Sequence, residues 1–181
     1  MKILFLSDIH GIVKNLSSIQ KLEAKENFDK IVVLGDLYHT DHQCQKILEI
    51  DSDQVQSLLM SFRHKLVCLK GNCDSNLDIK TTKFPICSNL ALICVDHLNI
   101  YLTHGHEYNK YHHPEFSQNS ILVYGHEHFP SMERIDDILY ICVGSLSLPR
   151  YGSKASYMIY ENRIFTIYSI DQEVIDQIQV N

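Results

Sequence analysis

Seven residues carry the chemistry open to this chain: Asp8, His10, Asp36, Asn72, His104, His126 and His128. Each follows a short apolar run and lies near a glycine. Ile3-Leu4-Phe5-Leu6 stops at Ser7-Asp8-Ile9-His10-Gly11, and Ile31-Val32-Val33-Leu34 stops at Gly35-Asp36. Leu66-Val67-Cys68-Leu69 runs into Gly71-Asn72-Cys73-Asp74, Ile100-Tyr101-Leu102-Thr103 into His104-Gly105-His106, and Ile121-Leu122-Val123-Tyr124 into Gly125-His126-Glu127-His128. One acid after one strand reads as a helix cap with an incidental histidine. Five such loops, all supplying imidazole, carboxylate or amide oxygen, are the donor set of a divalent cation. Seven donors exceed the four of a closed tetrahedral zinc site. Asp36 stands alone in its loop, and a carboxylate has two oxygens with which to bridge two ions. Two ions about 3.5–4 Å apart clamp an in-line displacement at phosphorus, with a bridging water as nucleophile. No thiolate is required, which suits Mn²⁺, Fe²⁺ or Zn²⁺. Strand alternation, carried into the loops, predicts that Asp8 and His10 face one side and that Glu127 points away from His126 and His128.

These side chains need a frame that gathers five loops. Unbroken apolar runs read as strands buried on both faces, and in open α/β sheets ligands bind beyond the C-terminal strand ends. Val13, Leu16, Ile19 and Leu22 recur at spacing three and predict a helix over 12–26, stopped at Asn27. A second helix is predicted over 42–64 with a break near Asp51-Ser52-Asp53, then a strand over 65–70. The first half is therefore β-α-β-α-β, with parallel strands and right-handed crossovers. The second half reads as three hairpins: 90–95 with 100–103, 132–135 with 138–143, and 157–160 with 164–168. Residues 107–119, rich in Tyr, His, Asn and Ser, read as a surface loop. The fold class is α/β, a two-sheet sandwich flanked by helices.

The 181 residues suit a single domain, 1–181, with a full core. A net charge of −6 leaves no overall basic footprint for nucleic acid or anionic membrane. No run approaches the roughly 20 apolar residues that cross a bilayer, and Met1-Lys2 leads into a stretch too short for a secretory signal. The 6 cysteines are scattered singly without a CxxC pair, which predicts free thiols and a cytoplasmic, reducing compartment.

The ordered set Asp-x-His, Gly-Asp, Gly-Asn-x-Asp, His-Gly-His and Gly-His-x-His resembles the calcineurin-like metallophosphoesterase superfamily. Gly71-Asn72-Cys73-Asp74, Thr103-His104-Gly105-His106 and the short length narrow the resemblance to small YfcE-like phosphodiesterases, across essentially 1–181. It implies a four-layer α/β/β/α sandwich and hydrolysis of a small phosphodiester by a metal-bridging water or hydroxide. It also implies two divalent ions, Mn²⁺ first, with Fe²⁺, Zn²⁺, Ni²⁺ and Mg²⁺ as alternatives. Asp8, His10, Asp36 and His128 would hold one ion; Asp36, Asn72, His104 and His126 would hold the other.

The chain departs from the pattern in places. Glu127 replaces the usual Thr, Cys142-Val143-Gly144-Ser145 replaces Asn-Pro-Gly-Ser, and Cys73 stands where many relatives carry an acidic His. Cys73 is then a weak acid, a polarity adjustment or a filler. His106 orients the phosphate or supports His104, Asp74 supports the metal loop, and Arg150 meets a phosphate oxygen or solvent. His39, His42, His112 and His113 read as loop residues, the last two with a place at the substrate mouth open to them. The competing reading is a non-catalytic scaffold of the same fold that binds protein partners, as retromer subunits do. Scaffolds of that kind lose histidine ligands, whereas all seven positions are filled here. Exposed hairpin edges leave homo-oligomer pairing open.

Overall fold

The apolar runs become parallel strands because both of their faces are covered. A computed structural model describes residues 1–39, 50–87 and 89–181. Strands β1 (Ile3–Leu6), β2 (Lys30–Val33), β3 (Leu66–Leu69) and β4 (Ile86–Cys87) pair in parallel. Helices α1 (Val13–Glu26) and α2 (Ser52–Ser61) cover one face, where Leu16, Ile19, Val55 and Leu59 meet Leu4, Leu6, Ile31 and Val33. Asn27 ends α1 in the left-handed conformation, its N–H donating to Glu23 O.

The first sheet continues through antiparallel β10 (Ser156–Glu161), β11 (Ile164–Ser169) and β12 (Val174–Gln179), in the order β12-β11-β10-β1-β2-β3-β4. The second sheet holds β5 (Leu90–Val95), β6 (Leu98–Thr103), β7 (Ile121–Tyr124), β8 (Ser131–Ile135) and β9 (Ile138–Cys142), in the order β5-β6-β7-β9-β8. Between the sheets lies the main core: Ile3, Phe5 and Val32 face Ile100, Leu102, Ile121, Val123 and Ile141, with Met158, Tyr160 and Phe165 beside them. Burial of each such side chain contributes about 1.5–3 kcal/mol, so the two sheets are held rigidly face to face. β1, β2 and β3 run parallel, and so do β6, β7 and β9. Their C-terminal ends carry the donor loops.

The sandwich is the one expected, with differences in detail. The outer face of the second sheet is covered by the segment 107–119, which contains no helix: Phe116 stacks on Tyr101, and His113 stacks on Phe116 and bonds the Tyr140 hydroxyl at 2.7 Å. His113 thus belongs to this cover. The turn of the first hairpin is two residues, not four. Asp96 and His97 both take positive φ, 50° and 64°, so β6 begins at Leu98. Three elements carried no periodic signal. Helix α3 (Asn76–Thr81) buries no side chain and is held by a capping box between Ser75 and Asp78. β4 is two residues long, and β12 is almost wholly exposed, formed by pairing onto β11. Residues 42–49 of the second predicted helix, with His42, lie outside the described residues.

Candidate metal centre

The donor loops are tight because their backbones are left-handed. Asp8, His10, Asp36, His126 and His128 have φ of 56°, 54°, 54°, 63° and 58°. Asp8 and His10 do meet at one spot, Oδ1 and Nε2 3.7 Å apart, but left-handed backbone rather than strand alternation brings them there. The pleat ends with the strand, and helical turns of the wrong hand aim the side chains instead. Each such residue costs of order 1–3 kcal/mol, and cross-loop bonds hold them: Asp8 N–H to Gly35 O at 3.2 Å, His10 N–H to Asp36 O at 2.9 Å, Gly125 N–H to His104 O at 2.8 Å. Two glycines permit the close approach. A Cβ on Gly71 would run into Asp36 Oδ1, and one on Gly125 into Ser7 Oγ.

Two of the seven predicted donors, Asp8 and Asp36, gather three imidazoles, and Asn72 lies against one of these. Asp8 Oδ1 lies 3.1 Å from His128 Nε2, 3.7 Å from His10 Nε2 and 4.0 Å from His104 Nε2. Asp36 Oδ2 lies 3.4 Å from His104 Nε2 and 3.9 Å from His10 Nε2. Asn72 Oδ1 is 3.0 Å from His104 Nε2. The seventh donor, His126, is half-buried with its ring 5.1 Å from that of His104, edge to face. Its backbone N–H donates to Asp8 Oδ2 at 3.0 Å. All are buried except Asn72, which is exposed, and His126.

The donors fit a cation. His10, His104 and His128 each turn Nδ1 to a backbone carbonyl: His39 O at 2.5 Å, Leu34 O at 2.8 Å and Leu148 O at 2.6 Å. That fixes each ring with Nε2 facing the carboxylates, the orientation of a metal-ligating imidazole. His10 Nε2 and His128 Nε2 stand 3.2 Å apart, two lone pairs face to face unless something positive lies between or on them. Asp8 Oδ1 is fully buried and, apart from the imidazole nitrogens around it, has no hydrogen-bond partner among the described residues. Burial raises the Asp8 carboxyl, but His10 and His128 outweigh it and hold the pKa well below the usual range. Burial likewise opposes a charge on His104, yet Asp36 and Asp8 push its pKa up to about 9. The carboxylates thus favour positive charge on His10 and His104, the charge a cation would otherwise supply.

The remaining candidates take different places. Asp74 accepts the N–H groups of Asp36, Leu37 and Gly71, each at 2.8 Å, and so clamps two donor loops together. Cys73 is half-buried, donates its N–H to Asp36 Oδ1 at 2.8 Å, and shares a donor cluster with His10 and Asp36. Burial and the Asp36 charge push its thiol up to about 12. His106 is half-buried beside His104, ring centroids 5.4 Å apart, and its Nδ1 has no partner among the described residues. Burial and His104 lower its pKa. Arg150 is exposed, and its guanidinium makes no bond among the described residues. Glu127 is partly exposed and belongs to no donor cluster among the described residues.

One contributor escaped the sequence reading. Ser145 Oγ donates to Asp8 O at 2.9 Å and accepts from Leu148 N–H at 2.8 Å, so it braces both Asp8 and the carbonyl that holds His128. Its signal was the Gly144-Ser145 that follows β9. Cys142 Sγ donates to Gly125 O at 3.3 Å, a weak bond onto the loop that carries His126 and His128.

Two face-packed sheets that deliver Asp, His and Asn from parallel strands to one edge are the frame of a metal-dependent hydrolase. The chain belongs to the calcineurin-like phosphoesterase superfamily, whose domain matches residues 1–163. This makes it a hydrolase of phosphoester bonds, and the family implies divalent metal ions. The chain is 32% identical to phosphodiesterase YfcE of Escherichia coli K12, over 100% of this chain and 99% of the relative. The solved structure of that phosphoesterase superposes with a TM-score of 0.94, covering 100% of both chains. Probable metallophosphoesterase YsnB of Bacillus subtilis is 28% identical over 95% of this chain and 92% of its own. A Vps29 variant from Entamoeba histolytica shares the fold at TM-score 0.64 and 17% identity, each chain covered in full. No described helix is long and apolar enough to cross a membrane.

Proposed function

We propose that this chain is a phosphodiesterase that acts on small diesters with two divalent ions, Mn²⁺ first among them. Asp8, His10, Asp36 and His128 hold one ion; Asp36, Asn72, His104 and His126 hold the other; the whole of 1–181 acts as one domain. The observation that carries the reading is the buried Asp8 Oδ1 ringed by three imidazole nitrogens, with no other partner among the described residues, and Asp36 Oδ2 between the His10 and His104 sides. When bound, the ions supply Lewis acidity to the phosphoryl oxygens and to an attacking water. Similarity to phosphodiesterase YfcE supports a diester as substrate.

The chain's own residues do the rest. The backbone carbonyls of Leu34, His39 and Leu148 hold the imidazoles, Asp74 holds the loops, and burial excludes bulk water from Asp8 and His104. Asn72, the exposed donor, lies where substrate enters. His106, half-buried beside His104 and with its buried Nδ1 unpartnered among the described residues, serves to orient the phosphate. The Cys73 thiol offers a leaving oxygen a far weaker proton donor than an imidazole does.

The test is elemental analysis of Mn²⁺-reconstituted protein with turnover of bis(4-nitrophenyl) phosphate. His104→Ala and Asn72→Ala should abolish turnover and lose metal while circular dichroism stays native. Near-wild-type turnover with metal bound in either variant removes that residue from the ligand set. Retention of every histidine position, unlike the scaffold pattern, favours catalysis over the partner-binding alternative.

A further inference from the structure

The rim of the centre carries two aromatic rings that the core does not use. Phe129 follows His128 directly and is 41% exposed; Tyr151 is 84% exposed. Their ring centroids lie 6.1 Å apart at an interplanar angle of 75°. Side chains this open to water add little to folding.

Tyr151 also sits in a costly conformation. Its φ is 54°, a region that a bulky side chain occupies only under constraint. The constraint is a small web of bonds. Arg150 N–H donates to His128 O at 3.0 Å, and Ser153 donates to Arg150 O through N–H at 3.0 Å and through Oγ at 2.8 Å. Leu148 O, at the foot of the same turn, holds His128 Nδ1 at 2.6 Å. One hydrogen-bonded unit therefore fixes a proposed metal ligand and presents an exposed ring beside it. Tyr151 and Gly152, with φ of 54° and 74°, are the two central residues of that turn, so the left-handed backbone is what sets the ring outward beside Phe129.

We propose that Phe129 and Tyr151 form a stacking subsite for a nucleobase, so that the substrate is a phosphodiester of a nucleoside. This rests on the phosphodiesterase reading and adds the group beyond the phosphorus. Consecutive Cα atoms are about 3.8 Å apart, so Phe129 is anchored next to the residue that touches the reacting end. Every base offers a π-face to an aromatic platform. Arg150, between the turn and His128, adds a cation that stacks on rings or meets a phosphate oxygen. A chain of net charge −6 has no overall basic excess with which to follow a polymer. The occupant is thus a small nucleotide diester.

The test compares two ligands that differ only in the base: adenosine 5′-monophosphate and ribose 5-phosphate, titrated calorimetrically into Mn²⁺-loaded protein. The nucleotide should bind about tenfold tighter to the wild type, the effect of one stacked base. Tyr151→Ala should bring the two affinities within about twofold by weakening the nucleotide alone, Phe129→Ala should shrink the gap in the same way, and Tyr151→Phe should preserve it. Equal affinities in the wild type, or an unchanged ratio in both alanine variants, overturns the subsite. Because binding is read without turnover, failure to hydrolyse any diester would sink the phosphodiesterase reading separately.

Discussion

Asp96, His97, Asp136, Asn162 and Arg163 turn the hairpins at one end of the sandwich with positive φ; Asp8, His10, Asp36, His126 and His128 adopt the same hand at the other. The hairpin residues are mostly exposed, and there the left-handed backbone simply matches the twist of paired strands. Where side chains reach inward they staple: Tyr160 Oη donates to Asp96 Oδ2 at 2.7 Å, and Arg163 Nε donates to Val180 O at 3.2 Å. At the other end the same dihedrals converge buried polar groups on one point. Backbone strain that reverses a chain is local and replaceable by glycine. Strain that aims a donor is tied to that donor's chemistry and to the partner loop that holds it.

The contrast can be pressed hardest at Asp36, whose oxygens lie between the two groups of imidazoles. Asp36→Asn should halve the bound metal and lower diester turnover by about 10³-fold, since charge on the bridging position is lost while shape is kept. One ion per chain in the wild type, with turnover intact in the Asp36→Asn variant, would sink the bridging arrangement. Ser145→Ala tests the brace behind Asp8. Metal affinity should fall about 10–100-fold, the usual effect of removing a partner that orients a ligand, whereas stability should drop only by about 1 kcal/mol. Matched metal titrations and urea melts of the two proteins separate these effects.

Cys73 gives a smaller, selective effect. A positioned acid adds typically about 10²–10⁴-fold to departure of a poor leaving group, and an imidazole with an ordinary pKa of about 6.5 donates better at neutrality than the Cys73 thiol, pushed up to about 12. Cys73→His should therefore flatten a plot of log kcat/KM against leaving-group pKa, helping alkyl alcohols more than nitrophenols, and Cys73→Ser should change little. An unchanged slope in the first variant, or collapse in the second, would assign the thiol another task. The smallest effect belongs to the hairpin end. His97→Gly should relieve the positive φ and raise stability by up to about 1 kcal/mol in denaturant, with turnover unaltered. A destabilised or inactive His97→Gly variant would show that the turn is not the replaceable partner in this comparison.

Much of this was legible without coordinates. Short apolar runs ending in Gly and a polar residue announced the buried parallel strands, and the donor types after them announced the centre, because burial and ligand chemistry both act residue by residue. The geometry of aim was not legible: alternation predicted side-sharing at Asp8 and His10, and left-handed turns produced it instead. Nor was α3, which buries nothing and depends on its Ser75–Asp78 cap, nor β12, whose exposed Val174-Ile175-Asp176 has no alternating pattern and becomes a strand only by pairing with β11.

The sequence by itself determined which groups stand beyond which strands, and hence that Asp, His and Asn rather than thiolates would meet. Only the tertiary structure decided what supports them. Leu34, His39 and Leu148 act through carbonyls that every residue possesses, and Ser145 and Asp74 act by bridging backbones far apart in the chain. Backbone atoms carry no side-chain signature, so their partners exist only once two sheets have packed and brought the loops within hydrogen-bonding reach.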